Sequence, residues 1–352
     1  MKPNRLLALA LLVFILSPIQ SHAQSNGRRL QNPTSRNRAI ASIVREIDAK
    51  NIERTIRQLV TFGTRNTLSE QNDPKRGVGA ARDWLYAEFL KAAEASGGRM
   101  TVEKQSFEQP KAQRIPQPTV LTNIVATLKG TQPESVDRVY VVSGHYDSMC
   151  NSPTDAKCDA PGANDDASGT AAVLEMARVM AKYQFDATIV FMTVPGEEQG
   201  LLGALHYAED AKQKSVNIDA MFTNDIIGNT LGGNGVRDRG TVRVFSEGVP
   251  TNETTAEATT RRTVGGENDS ASRQLARFIK ETGEGYVSPM KVMMVYRRDR
   301  YGRSGDHGRA FRREQLLRSP PFYSDTKTGR YECGICDKPR RFLWSASIVQ
   351  FI

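Results

Sequence analysis

The apolar positions along the chain change their spacing several times, and each change marks a different kind of element. At 43–60 they recur at roughly helical intervals, which predicts a pair of helices. Residues 78–93 carry a second amphipathic pattern, with aromatic and leucine side chains on one side. Short β-branched runs then predict strands at 100–103, 120–128 and 139–143.

Further along, strands and helices alternate. After a glycine-rich loop, the pattern predicts helices at 169–183, 200–213 and 269–282 and strands at 187–194, 220–225, 241–245 and 291–296. Residues 248–268 are polar and threonine-rich, which favours a surface loop. The alternation is typical of an α/β fold with a mixed, largely parallel central sheet flanked by helices. In such folds, sites collect at the carboxyl ends of the strands.

The first 40 residues depart from this pattern. Residues 1–23 combine a basic start, an apolar run and small residues at positions 21 and 23, as in a secretory signal, and we expect cleavage after Ala23. The apolar run of about a dozen residues is short against the roughly 20 that span a bilayer. We therefore expect an exported protein, periplasmic or extracellular, with no membrane segment after cleavage. Residues 24–40 are polar and predict a linker before a domain at 41–308.

Composition narrows the class of partner. With 352 residues, 39% hydrophobic and 25% charged, the chain fits one large globular domain or two medium ones. The formal net charge is +9, and removing Lys2 and Arg5 with the leader lowers it to +7. The basic residues are dispersed and form no nucleic-acid motif, so we expect no nucleic-acid partner.

Four cysteines form two close pairs. In an oxidising compartment Cys150 and Cys158 can close a small loop by a disulfide, and the sequence leaves both the bridged and the free form open. Cys333 and Cys336 have the spacing of a redox or metal half-site. A structural zinc usually needs four ligands, so this second pair is a weak signal.

Metal-type side chains follow one strand after another. They are His145 and Asp147, then Asp165 and Asp166 in the glycine-rich loop, then Glu197 and Glu198, and finally Asp225 and His307. The chain has four histidines and two of them fall in this set. Mixed imidazole and carboxylate ligation suits zinc. One tetrahedral site would leave carboxylates over, so two metals that share one carboxylate are favoured.

In chain order, the segments GHYDS, PGANDDASG, PGEEQGLLG, TNDIIGN and SGDH resemble the five motifs of the secreted di-zinc aminopeptidase family. Relatives of that family include glutamate carboxypeptidase II, the transferrin receptor ectodomain and glutaminyl cyclase. The resemblance covers about residues 43–307 and implies the zinc exopeptidase fold. Any one of these motifs is a weak signal, whereas the five together are specific.

The resemblance also implies a role for each site residue. His145 and Asp225 would bind one zinc, Glu198 and His307 the other, and Asp165 would bridge the two. Glu197 would be the general base for the attacking water, and Asp147 would orient the His145 imidazole. Asp166 would shape the loop, and in the family the bond between the two aspartates is often cis.

By the same resemblance, the implied activity is removal of N-terminal residues from peptide substrates. A carboxypeptidase, a single-zinc glutaminyl cyclase of the same fold and a non-catalytic binding homologue stay open as alternatives. The sequence leaves the oligomeric state and the preferred substrate side chain undetermined.

Beyond His307 the resemblance stops. The family continues into a strand similar to AVRFTE and a terminal helix, whereas residues 309–352 are arginine-rich and end in an apolar stretch. A divergent C-terminus and a reading frame that shifts just after His307 both explain this atypical tail. The sequence leaves both explanations open.

Overall fold

An eight-stranded mixed sheet runs through the part of the chain that the computed structural model describes, residues 36–232, 235–250, 253–297 and 348–350. The strands are β1 (Met100–Gln109), β2 (Thr119–Leu128), β3 (Arg138–His145), β4 (Thr188–Val194), β5 (Asn217–Thr223), β6 (Thr241–Glu247), β7 (Lys291–Arg297) and β8 (Ile348–Gln350). Their order across the sheet is β1-β2-β4-β3-β5-β8-β6-β7. The described residues do not include the leader at 1–23, His307, or residues 309–352 apart from 348–350.

Helices cover the sheet on both sides. They are α1 (Arg38–Glu46), α2 (Ala49–Thr61), α3 (Gly77–Glu94), α4 (Ala167–Met180), α5 (Leu202–Gln213), α6 (Thr255–Thr263) and α7 (Ala271–Tyr286), with a 3₁₀ turn at Gly266–Asp269. In the described parts of the chain, no helix combines the length and apolar character needed to cross a bilayer.

The centre of the sheet is parallel. β3 pairs in parallel with β4 on one side and with β5 on the other, whereas β2 is antiparallel to β4 and β8 is antiparallel to β5. This arrangement confirms the mixed sheet expected from the sequence. The carboxyl ends of β4, β3 and β5 therefore lie side by side at one edge, where a site is expected in an open α/β sheet.

The packing of β3 explains the uninterrupted apolar run at 139–142. Val139 and Val141 pack with residues of α5 on one face, and Val142 packs with the α2, α3 and α4 cluster on the other. A strand that is buried on both faces loses the polar alternation of a half-exposed strand. Helix α7 packs in a third cluster with β6 and β7.

Most element boundaries agree with the sequence, including the helix pair, which forms α1 and α2. Helix α1 begins at Arg38, inside the polar segment 24–40. Strand β1 runs to Gln109, well past the predicted end at 103, because charged residues alternate with partly buried ones along an edge of the sheet.

The prediction of a loop throughout 248–268 is wrong. Residues Thr255–Thr263 form α6, which opens with a capping box. The Thr254 hydroxyl accepts from the Glu257 N–H, and the Glu257 carboxylate accepts from the Thr254 N–H. These reciprocal bonds satisfy backbone donors that a polar helix otherwise leaves exposed.

Candidate metal centre

Three elements approach one another closely at the strand-end edge, and glycines permit the approach. A Cβ on Gly144 of β3 would lie 2.7 Å from the backbone of Gly169 in α4. A Cβ on Gly169 would in turn lie 2.2 Å from the carbonyl oxygen of Asn224, just after β5. Backbones packed this tightly bring the residues next to each glycine into one small volume.

That volume contains a histidine between two carboxylates. His145 Nε2 lies 3.1 Å from Asp165 Oδ1 and 3.6 Å from Asp225 Oδ1. Ligand atoms of these three residues all lie within 4.8 Å of one another. The structure thus brings together three of the residues that the sequence singled out as metal ligands.

Asp147 connects this group to the turn after β4. Its Oδ1 lies 3.3 Å from His145 Nδ1, close but without hydrogen-bond geometry. The N–H groups of Glu197 and Glu198 donate to the two oxygens of Asp147 at 3.3 and 3.2 Å. The Thr67 hydroxyl also donates to Asp147, at 3.1 Å. One fully buried carboxylate therefore fixes the backbone of the two glutamates and lies beside the imidazole at this edge.

Asp166 faces away from the group and has a different role from its neighbour. Its side chain caps α4 by accepting from the Gly169 N–H at 2.8 Å, and it accepts from the His145 N–H at 3.1 Å. The peptide bond between Asp165 and Asp166 is cis, as the family resemblance implies. Asp166 shapes the loop, and Asp165, with a side chain 44% exposed, points toward the imidazole.

The electrostatics of the edge are those of crowded carboxyl groups. Burial raises the pKa of Glu197 to about 8 and that of Glu198 to about 9, and the Asp165 carboxylate adds to the rise at Glu198. Burial also raises the pKa of Asp225. At His145 burial opposes the charged form, yet the facing carboxylates of Asp147, Asp165 and Asp225 raise its pKa well above the ordinary value.

The donors fit a divalent cation. Asp225 Oδ1, which lies 3.6 Å from His145 Nε2, is buried and has no hydrogen-bond partner among the described residues. An orphaned carboxylate oxygen inside a protein is costly unless something positive meets it. An imidazole and several carboxylates form the mixed nitrogen and oxygen set that zinc accepts.

One predicted ligand lies outside the three-residue group, and another lies outside the described residues. The Glu198 N–H donates to Asp147, but Glu198 is not one of the three residues whose ligand atoms lie within 4.8 Å of one another. His307 lies outside the described residues. The question left open for Cys150 and Cys158 has an answer, because the two form a disulfide.

The disulfide loop is bound to the turn that carries the glutamates. The carbonyl oxygen of Pro153 accepts from Gln199 Nε2 at 2.8 Å and from Asn66 Nδ2 at 3.1 Å. The loop between Cys150 and Cys158 is therefore fixed to the residue that follows Glu198.

The sequence did not reveal three supporting residues. Thr67 accepts from the Gly196 N–H at 2.9 Å while it donates to Asp147. Arg114 Nη1 donates to the Glu198 carbonyl oxygen at 2.7 Å. Arg65 is completely buried. The one signal in the sequence was the polar run Thr64–Thr67 directly after an amphipathic helix, which also fits an ordinary surface loop.

Comparison with known proteins gives concordant similarities. The model described as Peptidase family M28 matches residues 123–282. The chain is 49% identical over 268 residues to a probable zinc metalloprotease of Leptosphaeria maculans, covering 76% of this chain and 62% of the relative. It is 50% identical over 263 residues to a probable zinc metalloprotease of Pyricularia oryzae, covering 74% of this chain and 52% of the relative. The chain thus spans between 52% and 62% of the length of these two curated relatives.

Among solved structures, the LapA aminopeptidase of Legionella pneumophila superposes with a TM-score of 0.53 at 20% identity. The match covers 80% of this chain and 62% of that chain. At this level of identity the similarity shows a common fold.

Proposed function

Because the chain belongs to the peptidase M28 family of zinc exopeptidases, we propose that it is a zinc-dependent peptidase that removes N-terminal residues from peptides. The observation that carries this proposal is the cluster at the ends of β3, β4 and β5. There His145, Asp165 and Asp225 converge, and Asp147 ties them to Glu197 and Glu198.

In this proposal, two zinc ions bind at the cluster. His145 and Asp225 would hold one, Glu198 and His307 the other, and Asp165 would bridge them. When bound, zinc supplies Lewis acidity to the scissile carbonyl and lowers the pKa of the attacking water. A zinc site formed largely by carboxylates also suits the positively charged α-amino group of a peptide substrate.

The chain's own residues then handle the proton. Glu197 takes a proton from the attacking water and delivers it to the leaving amine, as a general base and then a general acid. The Glu197 N–H donates to Asp147, and this hydrogen bond fixes the main chain that carries the Glu197 carboxyl group. Asp147 also faces the imidazole nitrogen of His145 that points away from Asp165.

A second candidate is a carboxypeptidase, and Arg114 favours it. This exposed residue uses one guanidinium nitrogen on the Glu198 carbonyl oxygen. Within the described residues the rest of the guanidinium makes no hydrogen bond, and its geometry suits the terminal carboxylate of a peptide.

Purified mature protein with added zinc tests these readings. We expect two zinc ions per chain by elemental analysis. We also expect hydrolysis of aminoacyl p-nitroanilides that stops on chelation and returns with zinc. The N-acetylated forms of the same substrates are the matched controls and should stay intact.

Cleavage of N-blocked dipeptides alone would favour the carboxypeptidase, and one zinc per chain with cyclisation of N-terminal glutamine would favour the cyclase. A folded, zinc-supplied chain that cleaves none of these substrates and cyclises no N-terminal glutamine would overturn the enzymatic proposal.

Asp147 gives a sharper test of the supporting contacts. We expect Asp147→Asn to weaken zinc binding by about 10–100-fold, the usual effect of altering a group that orients a metal-bound histidine. Asp210 of α5 accepts hydrogen bonds from Gln105 and Lys214, and Asp210→Asn is the matched control. A chelator competition assay measures both, and equal zinc affinities in the two variants would contradict the role of Asp147.

We also propose export. The basic start and apolar run of residues 1–23 favour it, and the Cys150–Cys158 disulfide suits an oxidising compartment. N-terminal sequencing of the secreted form should begin after Ala23.

A further inference from the structure

A fully buried arginine lies behind the metal centre and is bonded to backbone. The Arg65 side chain is 0% exposed. Its Nε donates to the carbonyl oxygen of Tyr146 at 2.7 Å, and its Nη1 donates to those of Leu59 and Pro161 at 3.1 and 2.7 Å. Its Nη2 donates to the carbonyl oxygen of Gly162 at 3.0 Å. One guanidinium thus holds segments that are far apart in the sequence.

The carbonyls that it holds flank the proposed ligands. Tyr146 lies between His145 and Asp147, so its carbonyl sits at the end of β3 where the imidazole emerges. Pro161 and Gly162 begin the loop that leads to Asp165. Any movement of Arg65 would therefore change the distance between the His145 backbone and the Asp165 loop.

The main chain of Arg65 makes a second link between the same two segments. The Arg65 N–H donates to the Ser148 hydroxyl at 3.1 Å, and the Ser148 N–H donates back to the Arg65 carbonyl at 3.3 Å. The Ser148 hydroxyl in turn donates to the Ala160 carbonyl at 2.7 Å. Side chain and backbone both join the end of β3 to the glycine-rich loop.

Space around the guanidinium is tight. Gly162 has a φ of +46°, and a Cβ there would lie 2.8 Å from Arg65 Nη2 and 2.6 Å from the Ser148 Cβ. The loop therefore passes directly against the guanidinium, and a planar fork can donate to several carbonyls at fixed angles. A lysine carries the same charge at a single nitrogen and cannot replace this set of bonds.

The charge is placed among carboxylates. Burial lowers the pKa of Arg65 to about 10, and the charges of Asp147, Asp166 and Asp165 oppose that shift. The residue stays cationic at neutral pH, and its charge interacts with those of the aspartates near the metal site. Burying a charge is costly unless hydrogen bonds satisfy it. Arg65 makes these bonds with the segments that carry the proposed ligands.

We propose that Arg65 is a positioning residue for the metal centre, whose guanidinium sets the spacing between the His145 strand end and the Asp165 loop. The proposal rests on the proposed zinc site. Arg65 contacts no reacting atom and acts through the backbone carbonyls of Tyr146, Pro161 and Gly162. A merely structural arginine would stabilise the fold and leave the zinc affinity of the folded protein unchanged.

Arg99 provides the matched control. It donates from Nη1 to the Tyr183 carbonyl oxygen at 2.8 Å and from Nη2 to that of Ala181 at 2.9 Å. Those carbonyls lie at the C-terminal end of α4, whereas the metal centre lies at its N-terminal end. Arg99 is thus another arginine that ties loop carbonyls together, away from the site.

The experiment compares the full mature chain with its Arg65→Lys and Arg99→Lys variants. Zinc dissociation constants come from competition with a chromophoric chelator, and thermal unfolding of the zinc-free proteins reports stability. We expect Arg65→Lys to weaken zinc binding by about tenfold or more and to alter the visible absorption spectrum of the cobalt-substituted protein. Arg99→Lys should lower the melting temperature and change zinc affinity by less than about twofold.

Wild-type zinc affinity and an unchanged cobalt spectrum in Arg65→Lys would overturn the proposal. A wild-type chain that binds no zinc would instead overturn the proposed function, so the two failures are distinguishable. If zinc-free Arg65→Lys does not fold, Ser148→Ala removes the two hydroxyl hydrogen bonds that join Arg65 to Ala160 and leaves the backbone bond in place. Weaker zinc binding in Ser148→Ala supports the proposal, and unchanged binding contradicts it.

Discussion

Replacing Glu197 with glutamine is expected to lower kcat for peptide hydrolysis by about 10²–10⁴-fold, the range attributed to a positioned general base. Glutamine has nearly the same shape as glutamate but cannot take a proton from water. Its backbone N–H still reaches Asp147, so the turn after β4 should keep its conformation. We therefore expect the variant to bind zinc with wild-type stoichiometry and substrate with a similar KM.

The adjacent residue gives the contrasting result. Glu198→Gln should lose zinc because Glu198 is a proposed ligand, whereas Glu197→Gln should lose only turnover. Glu209→Gln, at an exposed position on α5, controls for the loss of one negative charge. Measured kcat and zinc content together decide the assignment. If Glu197→Gln lost zinc and kept turnover per bound metal, the two roles would have to be exchanged.

The location of the site could be predicted because it follows from sheet geometry. β3 has a continuous apolar run at 139–142 since both faces are buried there, and that run is easy to recognise in a sequence. Once β3, β4 and β5 are recognised as neighbouring strands, the polar residues after each strand must meet at one edge. The predicted end of β5 was two residues too late, yet Asp225 still lies at that edge.

The supporting residues could not be predicted in the same way. An arginine in a polar run is usually exposed, and Arg65 is buried only because the loop at 160–166 and the end of β3 close around it. Such burial depends on contacts between distant segments, which spacing along the chain does not encode. Thr67 is hidden for the same reason, since its partner Asp147 lies 80 positions away.

Helix α6 was missed for a different, local reason. Ala258 is its one buried residue, so the segment has almost no apolar stripe to reveal a helix. The signal that was present is the capping box of Thr254 and Glu257. The polar composition of the segment favours a loop in the sequence, whereas in the structure the capping box begins a helix there.

Adjacent aspartates show a further limit, because sequence spacing gives the two carboxylates equal standing. The family resemblance assigned the bridge to Asp165 and the loop to Asp166. The structure separates them by direction, since Asp166 caps α4 and Asp165 points to the imidazole of His145. This separation makes the pair a direct test of the proposed bridge.

Asp165→Ala is expected to abolish stable binding of both zinc ions, with a loss of affinity beyond about 100-fold, the upper end for groups that only support a ligand. A bridging carboxylate contributes one oxygen to each metal, so its removal weakens both sites together. Asp159→Ala is the matched control, because Asp159 is an exposed carboxylate of the preceding segment that pairs with Arg76 at 2.7 Å. Zinc titration with a competing chelator measures the effect.

The stability of the zinc-free protein should distinguish the two aspartates, because only Asp166 caps a helix. Without zinc, Asp165→Ala removes a carboxylate that adds to burial in raising the pKa of Glu198, and it also removes the partner 3.1 Å from His145 Nε2. These two effects oppose each other, so we expect little change in the free energy of unfolding. Asp166→Ala removes the cap of α4 and should lower it by about 0.5–2 kcal/mol. If Asp165→Ala kept two tightly bound zinc ions, Asp165 would not be the bridge, because a shared ligand cannot be removed without cost to either metal.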